Sequence, residues 1–252
     1  MVFDIVIPLG PNEISNIDKQ IEYTKKNIVG YRNIYIVTCN NDIKINNCIT
    51  IDENVFPYKN FIADYFAQHN GKKNRNGWYF QQLIKLHAWK YIDGILDNYL
   101  IIDADVFFLK PINFIEDDKP IFSTGDEYHE PYFTHMNLLH DNFIKVHPNS
   151  GICHHMLYNK KYIIEIINIV EEKHKKPFWQ VFILSVNEHK KYSNISIDES
   201  GASEYELYFN YLVKNYKDNI IIRNLKWQNV QKNANINNYL ECDYISICNW
   251  MN

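Results

Sequence analysis

The chain has 252 residues, 46% of them apolar and 22% charged, which is the make-up of a folded globular protein with a sizeable core and excludes a disordered or fibrous one. A formal charge of −4 leaves no dominant basic surface, so nucleic acid is not an expected partner. No apolar run approaches the roughly 20 residues that span a membrane, and the opening MVFDIVIPLG, with Asp4 and a break at Pro8, lacks the make-up of a secretory signal. A soluble, cytoplasmic protein is expected.

Residues 3–7 form a short apolar strand followed by a turn, and Ser15 offers an N-cap for a helix to about Asn27. Residues 33–38 and 48–51 are the next two strands, the latter closed by Asp52 and Glu53. Strand, helix, strand at this spacing begins a right-handed parallel sheet. Over residues 78–92 the apolar positions Phe80, Leu83, Ile84, His87, Ala88 and Tyr91 recur at steps of three and four, which predicts an amphipathic helix. It leads into a strand at 99–102, and Lys110-Pro111 ends that segment.

In the second half, residues 121–124 and 151–158 read as strands, 161–172, 178–186 and 203–215 as helices, and 220–222 and 244–248 as short late strands. No Gly/Ser-rich linker, repeat or long charge block marks a boundary. The expectation is one α/β domain over residues 1–252 with a mostly parallel, twisted central sheet flanked by helices. The basic run at 173–176 reads as a solvated helix end.

Five cysteines, Cys39, Cys48, Cys153, Cys242 and Cys248, are odd in number and form no CxxC pair, so reduced and mostly packed thiols are expected. Aromatic residues reach 15%, with Tyr dominant, a residue that serves sugar or base sites as readily as a core. The lone sequon, at Asn194, is no more than chance supplies in so Asn-rich a chain.

The segment YLIIDADVFF, residues 99–108, places Asp103 and Asp105 inside the longest strongly apolar stretch. An ionised carboxylate away from water costs several kcal/mol unless compensated. Side chains at i and i+2 of an extended segment share a side, and like charges about 5 Å apart repel by roughly 3 kcal/mol at an effective dielectric of 20. A divalent cation turns that repulsion into binding. Hard oxygen ligands select Mg²⁺ or Mn²⁺, which keep waters and accept phosphate oxygens. A phosphate-loop signature is absent, as is a G-x-G-x-x-G turn after the first strand, which disfavours P-loop and dinucleotide chemistry.

Several further segments are rich in groups that carry chemistry. The run 125–140, GDEYHEPYFTHMNLLH, is too polar for a plain connection and reads as a wall of an acceptor or sugar site, with Asp126, Glu127 and His129 foremost. His154 and His155, in SGICHHMLYN, are candidates to complete a metal site, and Gly151 could permit a close backbone approach. Ser203 and Glu206 make a capping-box pattern. Glu204 is left over in the first turn, where it could accept the proton of an acceptor hydroxyl in an inverting transfer, with Asp126 or Glu127 as alternatives.

The segment IIDADVFFLKP resembles the DxD motif of GT-A glycosyltransferases. GWYFQQLIKL, residues 77–86, and ASEYELYFNY, residues 202–211, look like further signatures of a little-described family of glycosyltransferase-like proteins built on that fold. The resemblance implies a GT-A type fold, with residues 1–110 as a nucleotide-binding half and 111–252 as an acceptor-side half. It implies a hexosyltransferase-type enzyme using Mn²⁺ or Mg²⁺ and a nucleotide sugar, a UDP-sugar foremost, with a glycan or other hydroxyl acceptor as partner.

Carried over by residue, Asp103 would lie nearer the sugar and ribose hydroxyls, beside Ala104, and Asp105 would ligate the metal. The loop of Pro8, Leu9 and Gly10 would sit against the nucleoside. Trp78 and Tyr79 would lie near the site, Gln81 or Gln82 would bond ligand hydroxyls, and Arg75 and Lys85 would contact the diphosphate. Such enzymes often take a metal ligand from a C-terminal His, but ISICNW offers none. Two rivals are a noncatalytic carbohydrate-binding protein of the same fold and an aspartyl phosphohydrolase, the latter disfavoured by Phe107 and by the late position of the motif.

Overall fold

The computed structural model describes residues 1–69, 74–188 and 200–248, so the sequon at Asn194 and Trp250 of the ISICNW segment lie outside the described residues. A five-stranded sheet organises the fold. Its strands are β1 (Phe3–Leu9), β2 (Tyr31–Thr38), β3 (Ile49–Asp52), β4 (Asn98–Ile102) and β8 (His155–Asn159), in the order β3-β2-β1-β4-β8. The first four are mutually parallel and β8 runs antiparallel to β4, which matches the mostly parallel sheet expected.

Every residue of β1 is buried, and its unbroken FDIVIPL run reflects cover on both faces of the sheet. On one face Val6, Val37 and Ile101 pack with Ile62 of α2 (Lys59–Gln68) and Leu83 of α3 (Asn74–Tyr91). Met136 of α4 (Glu130–Leu139), Ile163 of α5 (Lys160–His174), Phe182 of α6 (Phe178–Glu188) and Leu207 of α7 (Glu204–Asn215) complete that layer. On the other face Ile5, Ile7, Ile34 and Leu100 pack with Ile17 and Ile21 of α1 (Ile17–Asn27) and with Phe108 of β5 (Val106–Phe108). Two small sheets flank this core: β10 (Trp227–Gln231), β11 (Tyr244–Cys248) and β5 form one. In the other, β6 (Ile115–Glu116), β7 (Lys119–Ser123) and β9 (Ile221–Arg223) run side by side.

From β1 the chain steps outward to β2 and β3 and then returns to the far side of β1 at β4. The gap beyond the carboxyl ends of β1 and β4 is therefore the topological switch point, where open α/β sheets place ligands. Val6 lies opposite Ile101, two residues before Pro8 and Asp103 respectively, so the Pro8–Gly10 loop and the acidic segment leave the sheet side by side.

The opposite end of the same sheet shows what a purely structural carboxylate looks like. Asp4 is fully buried and takes Arg32 on both oxygens, at 3.0 and 2.6 Å, together with the backbone N–H groups of Asn33 and Leu96. Its charge is answered by donors.

Several local expectations shift. Ser15 is not the N-cap: a 3₁₀ turn covers Ile14–Asn16, and α1 begins at Ile17 with no side-chain cap. Only Ser203 performs its half of the capping box, accepting from Glu206 N–H at 3.2 Å, because the Glu206 carboxylate bonds Ser150 and Asn210 instead. The polar run 125–140 includes an unexpected helix, α4, which starts at Glu130. Its buried face includes Tyr132 and His135, and His135 Nε2 lies 2.8 Å from the Phe182 carbonyl, so polar letters there conceal a core-facing helix. The predicted strand 151–158 is a strand only from His155. The five cysteines are free thiols, as expected, with Cys153, Cys242 and Cys248 buried. Among the described residues no helix is long and apolar enough to cross a membrane.

Candidate functional site

β4 ends at Ile102, and the acidic pair lies on a turn, not on the strand: Val106 N–H donates to the Asp103 carbonyl at 3.1 Å. Strand alternation therefore does not direct these side chains. Backbone bonds do, with Asp103 N–H donating to the His154 carbonyl at 2.9 Å and the Asp105 carbonyl accepting from Ile247 N–H at 2.8 Å.

A buried cation sits beside the first carboxylate. Lys85 Nζ, on α3, is 2.6 Å from Asp103 Oδ1 and 2.7 Å from Glu204 Oε1, and donates to Tyr205 Oη at 3.2 Å. The Tyr205 hydroxyl in turn donates to Asp103 Oδ1 at 3.1 Å. The Lys85 and Glu204 side chains are each 4% exposed and Asp103 is 17% exposed, so these charges are held by one another more than by water. Burial alone would push the Asp103 carboxyl up, but Lys85 and then His154 outweigh it and hold it well below the usual carboxylate range. Burial likewise opposes the charge on Lys85, and Asp103 with Glu204 reverses that and raises its pKa. The Glu204 carboxyl stays raised by burial despite Lys85. Of the expected site residues, Lys85 is thus buried behind Asp103, and Glu204 is held by Lys85.

Asp105 is the contrasting member of the pair. Its Oδ1 is buried and has no hydrogen-bond partner. Burial, then the charges of Asp103 and Glu13, with His154 opposing, push its carboxyl up to about 6. Glu13, in the turn after β1, is an acidic neighbour that sequence reasoning missed, because a surface-type Glu carries no local signal. Asp105, Asp103, Glu204 and Glu13 against Lys85 leave an excess of negative charge, and an orphaned buried oxygen within that excess fits a hard cation. Among the described residues no group of three or more His, Cys, Asp or Glu side chains is arranged to hold a metal. The protein's share of such a site is therefore Asp105, with Asp103 mostly committed to Lys85, and water and phosphate oxygens would supply the rest.

The two histidines part company. His154 is held at φ 61°, a left-handed backbone that His tolerates better than most side chains. Its Nδ1 is 3.5 Å from Asp103 Oδ2 and its ring packs edge-on against Trp227 at 5.4 Å. Burial alone would lower its pKa, but Asp103 and Asp105 raise it. His155 instead packs among Phe108, Phe114 and Tyr244, with both ring nitrogens buried and unpartnered. Burial lowers its pKa to about 3, so it is a neutral residue packed in the core and not beside the acidic pair as His154 is.

Gly125 and Ser150 exchange two backbone hydrogen bonds, at 2.9 and 3.0 Å, which brings Asp126 and Glu127 beside the His154 loop. Both acids are exposed. Although the Glu127 side chain is exposed, neighbouring protein atoms partly desolvate its carboxyl and raise its pKa, with His154 and then His129 pulling it back. His129 itself turns away, with Nε2 2.7 Å from the Ser200 carbonyl. Gly151 does give a close approach, to Phe209 and not to a ligand: a Cβ there would sit 2.7 Å from the Phe209 Cβ.

The GWYFQQ segment serves mainly to seat α7. Tyr79 Oη accepts from Gly201 N–H at 3.0 Å, and Gln82 Oε1 accepts from Glu204 N–H at 3.2 Å, while Gln82 Nε2 remains buried and unpartnered. Tyr79, Gln82 and Lys85 recur at steps of three on one face of α3, so the two segments that stand out in the sequence are halves of one contact. Trp78 is half-buried, with the Arg75 guanidinium 5.6 Å over its ring, and Gln81 is half-buried. Arg75 lies about 15 Å along the helix axis from Lys85. Leu9 and Ala104 are buried, and Gly10 abuts the Glu13 carboxylate, which a Cβ would approach to 2.8 Å.

Over residues 21–241 the chain matches the Family of unknown function (DUF6492). Among curated proteins no sequence matches it. Among solved structures it is similar to mouse xyloside xylosyltransferase 1 in its apo form, at 8% identity and a TM-score of 0.47, over 98% of this chain and 97% of that one. It is also similar to an active-site mutant of LgtC, at 12% identity and a TM-score of 0.47, over 97% of this chain and 87% of that one.

Proposed function

The chain belongs to the Family of unknown function (DUF6492), and within it we propose a metal-dependent glycosyltransferase of the GT-A type. It moves a hexosyl group from a nucleotide-diphosphate donor, a UDP-sugar foremost, to a hydroxyl of a glycan or related acceptor. Residues 1–110 form the nucleotide-binding half and 111–252 the acceptor side.

The observation that carries this reading is Asp105. Its buried Oδ1 lacks any donor at the β1/β4 switch point, whereas the fully buried Asp4 at the other end of β1 has donors on both oxygens. A buried carboxylate oxygen without a donor calls for an explanation, and beside a second carboxylate a bound cation supplies one.

Mn²⁺ or Mg²⁺ held by Asp105 would offset the charge that develops on a departing diphosphate. Asp103, kept ionised by Lys85 and His154, accepts hydrogen bonds from sugar hydroxyls. Lys85 and Glu204 act through Asp103 as positioning residues. His154 lines the same opening. In an inverting transfer the acceptor hydroxyl gives its proton to Glu127 or Asp126, which stand exposed beside the His154 loop. The Pro8–Gly10 loop is the nucleoside side of the crevice.

The test is a thermal-shift series with UDP-, GDP- and dTDP-sugars, with and without Mn²⁺ or Mg²⁺. At least one nucleotide sugar should stabilise the protein in a metal-dependent way, and Asp105→Ala should lose the metal-dependent part. Stabilisation by a phosphate monoester with Mg²⁺ and by no nucleotide sugar would overturn the reading.

A further inference from the structure

Beside the acidic pair lies a cleft of about 530 Å³, within the usual range of small-molecule sites. Its walls come from the 124–126 turn, Asn149 and the stretch 224–229 that enters β10. None of that last stretch stands out in the sequence.

The lining is amide-rich: Asn149, Asn224, Gln228 and Asn229 stand around Thr124 and Trp227. Thr124 Oγ1 donates to Asn224 Oδ1 at 2.9 Å and accepts from Asn149 Nδ2 at 3.4 Å, so these side chains hold one another in place. Asn229 Oδ1 is buried and unpartnered. Trp227 is fixed from behind, lying parallel to the Tyr244 ring at 5.3 Å with 9° between planes, and its indole N–H reaches the Thr124 carbonyl at 3.5 Å. The two charged side chains of the lining, Asp126 and Lys226, cancel formally.

Each of these features points to the same ligand chemistry. Amides offer a donor and an acceptor side by side, which matches vicinal hydroxyls that also donate and accept. A half-buried indole offers a flat apolar face to the C–H side of a sugar ring. The one cation of the lining, Lys226, is balanced by Asp126, so the lining carries no net charge that would favour an acidic ligand over a neutral one. The cleft also adjoins the reacting region, since His154 touches Trp227 on one side and lies 3.5 Å from Asp103 on the other.

We infer that this cleft binds an uncharged saccharide and is the acceptor subsite. Its role as acceptor site rests on the transferase reading, whereas its binding of a saccharide does not.

The experiment is saturation-transfer NMR of lactose, cellobiose and maltose with the wild type and with Trp227→Ala, Asn224→Ala and Asp105→Ala, alongside thermal shifts with UDP and Mn²⁺. At least one disaccharide should receive saturation from the wild type. Trp227→Ala and Asn224→Ala should each cut that signal at least threefold while keeping the UDP–Mn²⁺ shift, and Asp105→Ala should do the reverse. Asn224 is exposed, so its variant guards against a Trp227→Ala protein that fails to fold. Three outcomes would overturn the inference: no transfer to any of the three sugars, transfer unaffected by both cleft variants, or displacement of the disaccharide by UMP, which would put the nucleoside there. Saccharide binding that depends on Trp227 without any nucleotide-sugar response would uphold the cleft and sink the transferase reading.

Discussion

Lys85 Nζ and Glu204 Oε1 lie 2.7 Å apart, a contact between residues 119 apart in sequence. Because the same Nζ is 2.6 Å from Asp103 Oδ1, one buried cation ties the exit of β4 to the first turn of α7. Lys85→Met leaves two carboxylates buried without their cation, and breaking a buried pair of this kind costs about 3–5 kcal/mol. Urea denaturation at pH 7 measures it. Adding Glu204→Gln to the methionine variant should recover part of the loss, since one unpaired charge is then removed. A cost below about 1 kcal/mol for the single variant would contradict the buried assignment.

Asp105 should make the metal-free protein less stable at neutral pH. Its carboxyl is raised to about 6 in the fold, so the favourable contribution of its protonated form is present at low pH and is lost as pH rises through that value. Asp105→Asn should therefore gain about 1–3 kcal/mol at pH 7.5 without divalent ions, from about 1.4 kcal/mol per pH unit. The gain should fade below about pH 4. The same variant should no longer respond to Mn²⁺. Equal unfolding midpoints at pH 7.5 would refute the prediction.

His87 sets an acid limit on stability. It is buried against Tyr58 and Phe178, its Nδ1 lies 3.0 Å from the Leu83 carbonyl, and burial lowers its pKa to about 4. An unfolded His titrates near 6.5, so between those values the unfolded chain binds the extra proton and stability falls as pH drops. The expected loss is about 1.4 kcal/mol per pH unit over that window. His87→Phe should flatten the slope by about that amount in denaturation curves from pH 7 to 4.5.

Gly125 marks the closest packing beside the cleft. A Cβ there would stand 2.4 Å from the Ile152 carbonyl oxygen and 3.2 Å from Trp227 Cζ2, so an added methyl must displace backbone. Gly125→Ala should cost about 1–3 kcal/mol, the usual price of overpacking. It should also weaken disaccharide binding, because Trp227 lies against the added methyl and has to give way. Unchanged denaturation and unchanged saturation transfer would show that the loops yield freely.

The strand–helix–strand start, the exit of β4 and the late strand at Tyr244–Cys248 were legible because each shows in consecutive residues as an apolar run closed by a turn residue. The helix at Lys59–Gln68, the helix at Glu130–Leu139 and the strand at Trp227–Gln231 were not. The buried faces of the two helices break their apolar spacing with Tyr65, Tyr132 and His135, and the strand buries only Val230, so no sustained apolar period marks any of the three. Of the candidate site, Asp105 was legible as a charge with no local reason to be there. The capture of Lys85, the engagement of Glu204 and the presence of Glu13 were not.

By itself the sequence determined that a parallel α/β sheet would deliver two carboxylates out of an apolar strand, since periodicity and a misplaced charge are properties of neighbouring residues. Only the tertiary structure decided that Asp103 is answered by Lys85 while Asp105 Oδ1 is left unanswered. The same holds for which histidine faces the acids, and for Trp227 joining Thr124 and Asn149 around one cleft. Those outcomes depend on segments up to about 120 positions apart meeting in space. Whether a charge finds its partner is decided by that meeting, and no spacing along the chain records it.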